Sequence, residues 1–223
     1  MTKIKIVYFI NLVPDKWKSI LHEQLGNLKK IDLYERADEI YISVVGSINE
    51  LNELNNIINN DYKKIKVKNC FSENLFEYPG FKTLYEISEK DSIILYFHSK
   101  GIFSGVKSND NNLIRKMMFQ NVITNYDTYL KKFDEDKNIC VGTLYPGVLG
   151  STWYNFFWVR GEYVINNLEH PQINSNRFYW EHWVGKPKTN VEVLTYSPIY
   201  EYKKVEHRNE IYKINPELFK NLI

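Results

Sequence analysis

The chain is expected to fold as a single α/β domain with a mostly parallel central sheet and helices on both faces. Three observations carry that expectation. Apolar β-type runs and helical-period segments alternate through the first hundred residues. The first strands are near-continuous in apolar residues, as strands covered on both faces should be. No internal repeat, low-complexity stretch or Pro/Ser-rich linker divides the 223 residues.

The elements follow in order. "KIKIVYFIN" (3–11) reads as a core strand. "DKWKSILHEQLGNL" places Trp17, Ile20, Leu21 and Leu25 on one helical stripe, with Asp15 as the expected N-cap. "EIYISVVG" is a second strand ended by Gly46, and "SINELNELNNIINN" a helix with Leu51, Leu54, Ile57 and Ile58 inward. "KKIKVKNC" is a shorter strand, "GFKTLYEISEK" a helix, and "SIILYFHS" the next strand. Beyond Gly101 come a loop, one long helix over 111–136 and a strand "NICVGTLYP". The Gly-rich loop "GVLGSTW" follows, then "YNFFWVRGEYVINNL" as strand and short helix. "NSNRFYWEHWVG" reads as a helix capped by Asn174 or Ser175, and "NVEVLTY" as a last strand. One domain over 1–223 is the simplest division, with a half to 100 and a second half from 101 adding to the same sheet.

Composition excludes several classes. The formal charge of +2 argues against a general nucleic-acid binder. No apolar run approaches the ~20 residues of a membrane span. "MTKIKIVYFINLV" is too short an apolar run before Pro14 and Asp15 for a signal peptide, so a cytoplasmic location is expected. Cys70 and Cys140 lie far apart beside apolar runs and are expected to be buried free thiols. There is no G-x-G-x-x-G after the first strand, no P-loop and no G-x-S-x-G. The five histidines are scattered, so a structural zinc site is not expected.

Three polar constellations remain. "YFHSKG" ends the fourth strand with His98, Ser99 and Lys100, followed by Lys107 and Arg115. The C-terminal ends of such strands are where ligands bind. Basic side chains and donors there suit a diphosphate leaving group, whose charge grows as it departs; a solvated turn lysine is the plain alternative. "GSTWYNFFWVRGEYV" packs aromatics side by side, more than one strand face can bury. Most of these rings are assigned to the core; Trp153 and Asn155, next to the loop, are assigned to a sugar pocket. In "NRFYWEHWVG", Trp180, Trp183 and Val184 form an apolar stripe, and Arg177 and Glu181 sit four apart on the neighbouring face. Glu181 among large rings suits a general base; an ordinary surface ion pair is the alternative. The acidic run Asp134, Glu135 and Asp136 reads as a solvated cap, away from the ligand edge.

Together, "YFHSKG", "NFFWVRGEYV" and "RFYWEHWVG" resemble the pattern of certain bacterial and giant-virus glycosyltransferases of the GT-A type fold. "LYERADEIYISVVG" and "NLFEYPGFKTLYE" fit as well, so the likeness spans roughly residues 3 to 185. Tyr154 departs from it, standing where that run usually has glycine. The resemblance implies transfer of a sugar from a nucleotide-sugar donor to a hydroxyl of a glycan or glycoconjugate acceptor. It implies that Tyr8, Phe9, Asn11 and the Glu73–Tyr78 segment, with Glu77, receive the nucleoside. His98, Ser99 and Lys100, with Lys107 and Arg115, would hold the diphosphate. Trp153, Asn155, Arg177 and His182 would shape the sugar and acceptor site, and Glu181 would either deprotonate the acceptor hydroxyl, giving inversion, or position the sugar. Relatives of that fold usually place an Asp-x-Asp metal motif at this strand end. His98-Ser99-Lys100 stands there instead, which leaves a divalent metal (Mn or Mg) open as a cofactor. A non-catalytic carbohydrate- or nucleotide-binding module is the competing reading.

Overall fold

The structure is a computed structural model and describes residues 2–102, 108–147, 150–176, 178–189 and 191–198. Lys107, Arg177 and the tail from residue 199 lie outside the described residues. The first half runs β1 (Lys3–Asn11), α1 (Trp17–Lys30), α2 (Leu33–Arg36), β2 (Glu39–Val45) and α3 (Ile48–Asp61). It continues with β3 (Ile65–Phe71), α4 (Tyr78–Ile87) and β4 (Ser92–His98). The second half contributes α5 (Ser108–Met118), α6 (Tyr126–Glu135), β5 (Ile139–Thr143), β6 (Phe157–Arg160), α7 (Gly161–Asn167), α8 (Tyr179–Trp183) and β7 (Leu194–Tyr196).

Seven strands among the described residues form one sheet in the order β3-β2-β1-β4-β6-β5-β7. Only β6 runs against the others, pairing antiparallel with both β4 and β5. The α/β class, the mostly parallel sheet and the helix-covered faces are therefore what the chain forms. Both core layers draw on both halves. On one face Trp17, Leu21, Leu25 and Leu54 pack with Phe97, Phe156 and Trp158. On the other, Phe9, Phe81 and Tyr96 pack with Phe157, Trp180 and Trp183. The run Phe156-Phe157-Trp158 alternates between the two layers, as pleated backbone requires, and all three rings are fully buried. Each such ring contributes roughly 1.5–3 kcal/mol relative to leaving it in water.

Several local expectations change. Asp15 does not cap α1: its backbone is left-handed (φ 64°), and Lys16 precedes the helix without a side-chain cap. Ser47 does cap α3, accepting from Glu50 N–H. Neither Asn174 nor Ser175 caps α8, which begins after Phe178 with no side-chain cap. Asn176 Oδ1 accepts from Phe178 N–H at 3.0 Å. The long helix over 111–136 is two helices joined by a π-type turn at Phe119–Thr124. The cause is visible: Trp158 Nε1 donates to the Val122 carbonyl at 2.9 Å, and Asn121 Nδ2 to the Met117 carbonyl at 2.8 Å. Side chains thus take carbonyls from the regular ladder. The short α2 was not foreseen. Nor is Cys70 buried; it is exposed on β3, an edge strand covered less than its neighbours. Cys140 is half-buried, and both thiols are free.

Candidate functional site

The site grows from β4. Its apolar run packs on both sheet faces until His98, whose side chain is 13 % exposed. Ser99 extends the ladder, donating its N–H to the Phe9 carbonyl at 2.9 Å, while its hydroxyl oxygen accepts from Asn11 N–H at 3.3 Å. Lys100 and Gly101 (φ 85°) then turn the chain out of the sheet. The Lys100 ammonium lies 4.8 Å from the centre of the Tyr154 ring, a cation–π arrangement.

Glu77, at the N-terminal flank of α4, is the centre of the cluster. Its Oε2 accepts from Asn155 Nδ2 at 2.8 Å and from Tyr96 Oη at 3.2 Å. Its Oε1 stands 3.5 Å from His98 Nδ1. The other ring nitrogen, His98 Nε2, lies 3.0 Å from the Tyr154 carbonyl. A carbonyl only accepts, so Nε2 carries the hydrogen and Nδ1 turns its lone pair toward Glu77. Burial, then the Lys100 charge, push the imidazole down to about 3, so His98 is neutral. Burial pushes the Glu77 carboxyl up to about 7. Lys100, Asn155 and Tyr96 act against that rise, and the Glu181 charge adds to it.

Asn155 is held in place by strain as well as bonds. Tyr154 and Asn155 both adopt left-handed backbone (φ 68° and 50°), a conformation that glycine takes freely and tyrosine rarely. This accounts for the glycine usual in the resembling run. Here the strained turn presents the Tyr154 carbonyl to His98 and its ring to Lys100. Glu181 reaches the cluster from α8; its backbone carbonyl accepts from Thr152 N–H at 2.8 Å, tying α8 to the Gly-rich loop.

The structure redistributes the expected roles. Lys100, Glu77, His98, Asn155 and Glu181 are brought together at the C-terminal end of β4. Tyr8 and Phe9 are not nucleoside contacts: both are buried core rings, one in each layer, with Tyr8 stacked on Phe97 at 4.6 Å. Strand alternation sends neither outward. Asn11, at the strand end, is half-buried and does reach this edge. Arg115 is not a diphosphate ligand. It is 3 % exposed and is spent on the Lys100 carbonyl (3.0 Å), Asn112 Oδ1 (2.8 Å) and Glu23 Oε2 (3.2 Å), which fixes the turn carrying Lys100. Asn155 has both ends of its amide engaged, by Glu77 and by Thr152 Oγ1 at 3.2 Å, so it builds the site rather than contacting a sugar. His182 pairs with Ser151 Oγ at 2.8 Å and anchors the Gly-rich loop. Trp153 is half-buried and packs on the core. Lys107 and Arg177 lie outside the described residues. Tyr96 was missed, although a tyrosine inside "SIILYFH" carries a hydroxyl that a buried strand must satisfy.

As to a metal, no group of three His, Cys, Asp or Glu among the described residues is arranged to hold one. At the strand end itself, His98-Ser99-Lys100 offers an ammonium and no carboxylate, so these three residues do not supply the oxygen ligands that a divalent cation takes. No helix among the described residues is long and apolar enough to cross a membrane.

An α/β domain with a buried carboxyl–imidazole–amide cluster and an ammonium at one strand end is the class that fold and site define. The chain belongs to the family described as Domain of unknown function (DUF8361), whose model matches residues 7–174. Comparison with curated proteins gives no match. Among solved structures the chain is similar to 4-diphosphocytidyl-2C-methyl-D-erythritol synthase from Anaerococcus prevotii DSM 20548, at 10 % identity and a TM-score of 0.43, covering 97 % of this chain and 99 % of that one. A second crystal structure of a synthase of that name gives 10 % identity and a TM-score of 0.44, covering 100 % and 98 %. A nucleotide-diphospho-sugar transferase from Desulfovibrio desulfuricans G20 gives 14 % identity and a TM-score of 0.36, covering 88 % and 80 %.

Proposed function

We propose that the protein is a glycosyltransferase that moves a sugar from a nucleotide-sugar donor to an acceptor hydroxyl. The observation that carries this reading is the meeting of Lys100 with Glu77 and Glu181 at the C-terminal edge of the sheet. One cation and an acidic group on a separate element are what such a transfer needs. The acceptor oxygen attacks the anomeric carbon, the bond from that carbon to the pyrophosphate oxygen breaks, and the nucleoside diphosphate leaves with the electron pair. Lys100 meets the growing negative charge, in the place where other chemistries use a metal. Glu181 accepts the hydroxyl proton, and attack in one displacement from the face opposite the departing diphosphate inverts the anomeric carbon. Neutral His98 and Asn155 hold the surrounding geometry. The motifs "YFHSKG" and "RFYWEHWVG", which resemble those of GT-A type glycosyltransferases, support the same assignment.

A thermal-shift panel of nucleotide sugars, run with manganese and with chelator, tests it. A donor that binds the folded state raises the melting temperature. We expect one donor to do so equally in both conditions, and to be hydrolysed slowly or transferred. Binding without turnover against a broad set of acceptors identifies a binding module instead. A shift seen only with manganese removes Lys100 as the neutralising group.

A further inference from the structure

In the proposed transfer Glu77 neither meets the leaving group nor takes the acceptor proton, yet its carboxyl is held by Asn155 and Tyr96 and faces His98. Its side chain is 17 % exposed. It joins three separate pieces of chain: α4, which carries it; β4, through Tyr96 and His98; and the left-handed Tyr154–Asn155 turn, through Asn155. That turn supplies the ring beneath the Lys100 ammonium. We propose that Glu77 is a positioning residue that takes up a proton when an anionic group enters beside Lys100, so that donor binding at this site is proton-linked.

Charge in a confined space is the physical basis. Among the described residues, the charged and titratable groups facing Glu77 are Lys100 beyond β4, Tyr96 and His98 on β4, and Glu181 on α8. His98 is neutral and Tyr96 holds its proton, for burial pushes the phenol well above its ordinary value. Lys100 is therefore the one cation available to a Glu77 carboxylate among these groups. A pyrophosphate that approaches Lys100 competes for the same charge and adds repulsion of its own. Two anions beside one cation in a low-dielectric site favour protonation of the one that can accept it. The neutral carboxyl keeps its hydrogen bonds from Asn155 and can donate toward the His98 Nδ1 lone pair. The turn under Lys100 is thus preserved while the charge conflict is removed. Burial already brings the carboxyl to about 7, so a small further rise crosses neutrality.

This inference rests on the reading that the Lys100 site takes a nucleotide diphosphate. Its test is calorimetric titration with UDP-glucose and GDP-mannose, whose diester pyrophosphates do not titrate near neutrality. The titrations are run at neutral pH in two buffers of different ionisation enthalpy, and again across the range from mildly acidic to mildly alkaline. Wild-type protein is expected to take up a substantial fraction of a proton per donor bound. Its affinity should fall about tenfold as pH rises through the Glu77 value, which corresponds to a carboxyl whose proton affinity rises about tenfold when the donor binds. Glu77→Gln, which keeps an acceptor for Asn155 and Tyr96, should bind with no proton uptake and a flat pH profile. Tyr96→Phe removes one hydrogen bond that favours the carboxylate, so it should move the midpoint to higher pH. Binding by wild type without proton uptake, or an unchanged pH profile in Glu77→Gln, overturns this role and leaves the transferase reading intact. Absence of binding by both donors and by the wider nucleotide-sugar panel overturns both.

Discussion

In the proposed transfer Lys100 and Glu181 divide the chemistry between them, and single substitutions separate their contributions. Lys100→Ala removes the charge opposite the diphosphate while Arg115 still holds the backbone carbonyl of residue 100 and therefore the turn. Donor affinity is expected to fall by roughly tenfold or more, consistent with losing a charge-assisted contact worth about 1.5–3 kcal/mol. Titration calorimetry reads this directly, and unchanged affinity removes Lys100 from the donor site. Glu181→Gln keeps shape and hydrogen bonding but cannot accept a proton. Transfer should drop by about 10²–10⁴-fold while donor binding stays within a few-fold. Retained turnover takes Glu181 out of the proton transfer.

At the scale of elements, α4 lies against the sheet at a point that tolerates no side chain. A Cβ on Gly80 would stand 2.7 Å from Tyr96 Oη and 2.8 Å from Phe9 Cβ. The close approach lets α4 sit low enough for Glu77, three residues earlier, to reach Tyr96 and Asn155. Gly80→Ala is therefore expected to cost about 1–3 kcal/mol as an overpacked core does. It should also lift Glu77 from its partners and weaken donor binding. Chemical denaturation together with a donor titration checks both effects; wild-type stability in the variant would mean that the helix shifts at no cost. The opposite end of the sheet is held differently. The Lys5 ammonium, on a side chain 2 % exposed, bridges the Ile87 carbonyl (2.9 Å), Glu89 (2.8 Å) and Glu39 (3.0 Å). It ties β1 to β2 and to the loop before β4.

The whole molecule carries opposing pH dependences. Glu39 is pulled down to about 2, first by Lys66 and then by Lys5 against the cost of burial. Burial acts to raise Glu86, but Lys82, Asn69 and Lys68 outweigh it and hold that carboxyl at about 2 as well. Their contribution is present above the ordinary carboxylate value of 4.5 and is lost as pH falls toward 2. His98 adds to the same trend: the unfolded chain takes up a proton near 6.5 that the folded chain refuses until about 3. Glu77 runs the other way. Below 4.5 its raised value costs nothing; between 4.5 and 7 the folded state holds a proton that the unfolded state releases, so stability declines with rising pH. The melting temperature is expected to fall on acidification from about pH 6 to 3. The advantage of Glu77→Gln over wild type should grow between about pH 4.5 and 7 and then level off. A difference between the two proteins that does not vary with pH removes Glu77 as a titrating group in the folded state.

Sequence alone determined the alternation of strands and helices, because period and run length are local properties of the chain. The ranges of β1, β2 and β4 and the stripes of α1 and α3 follow from it directly. So does the location of His98-Ser99-Lys100 at a strand's C-terminal edge. What each polar residue does there depended on partners distant in sequence. Asn155 lies 78 residues from Glu77, and Arg115 lies 92 from Glu23. Neither pairing leaves a trace in local spacing. Tyr8 and Phe9 fell inside the core because the parallel neighbours β2 and β4 flank β1 and helices cover both of its faces, a consequence of strand order rather than composition. The same holds for Glu77. As a sequence it is one acidic residue before a helix. Only the packing of α4, β4 and the Tyr154–Asn155 turn encloses its carboxyl, and that enclosure raises its proton affinity to the edge of neutrality.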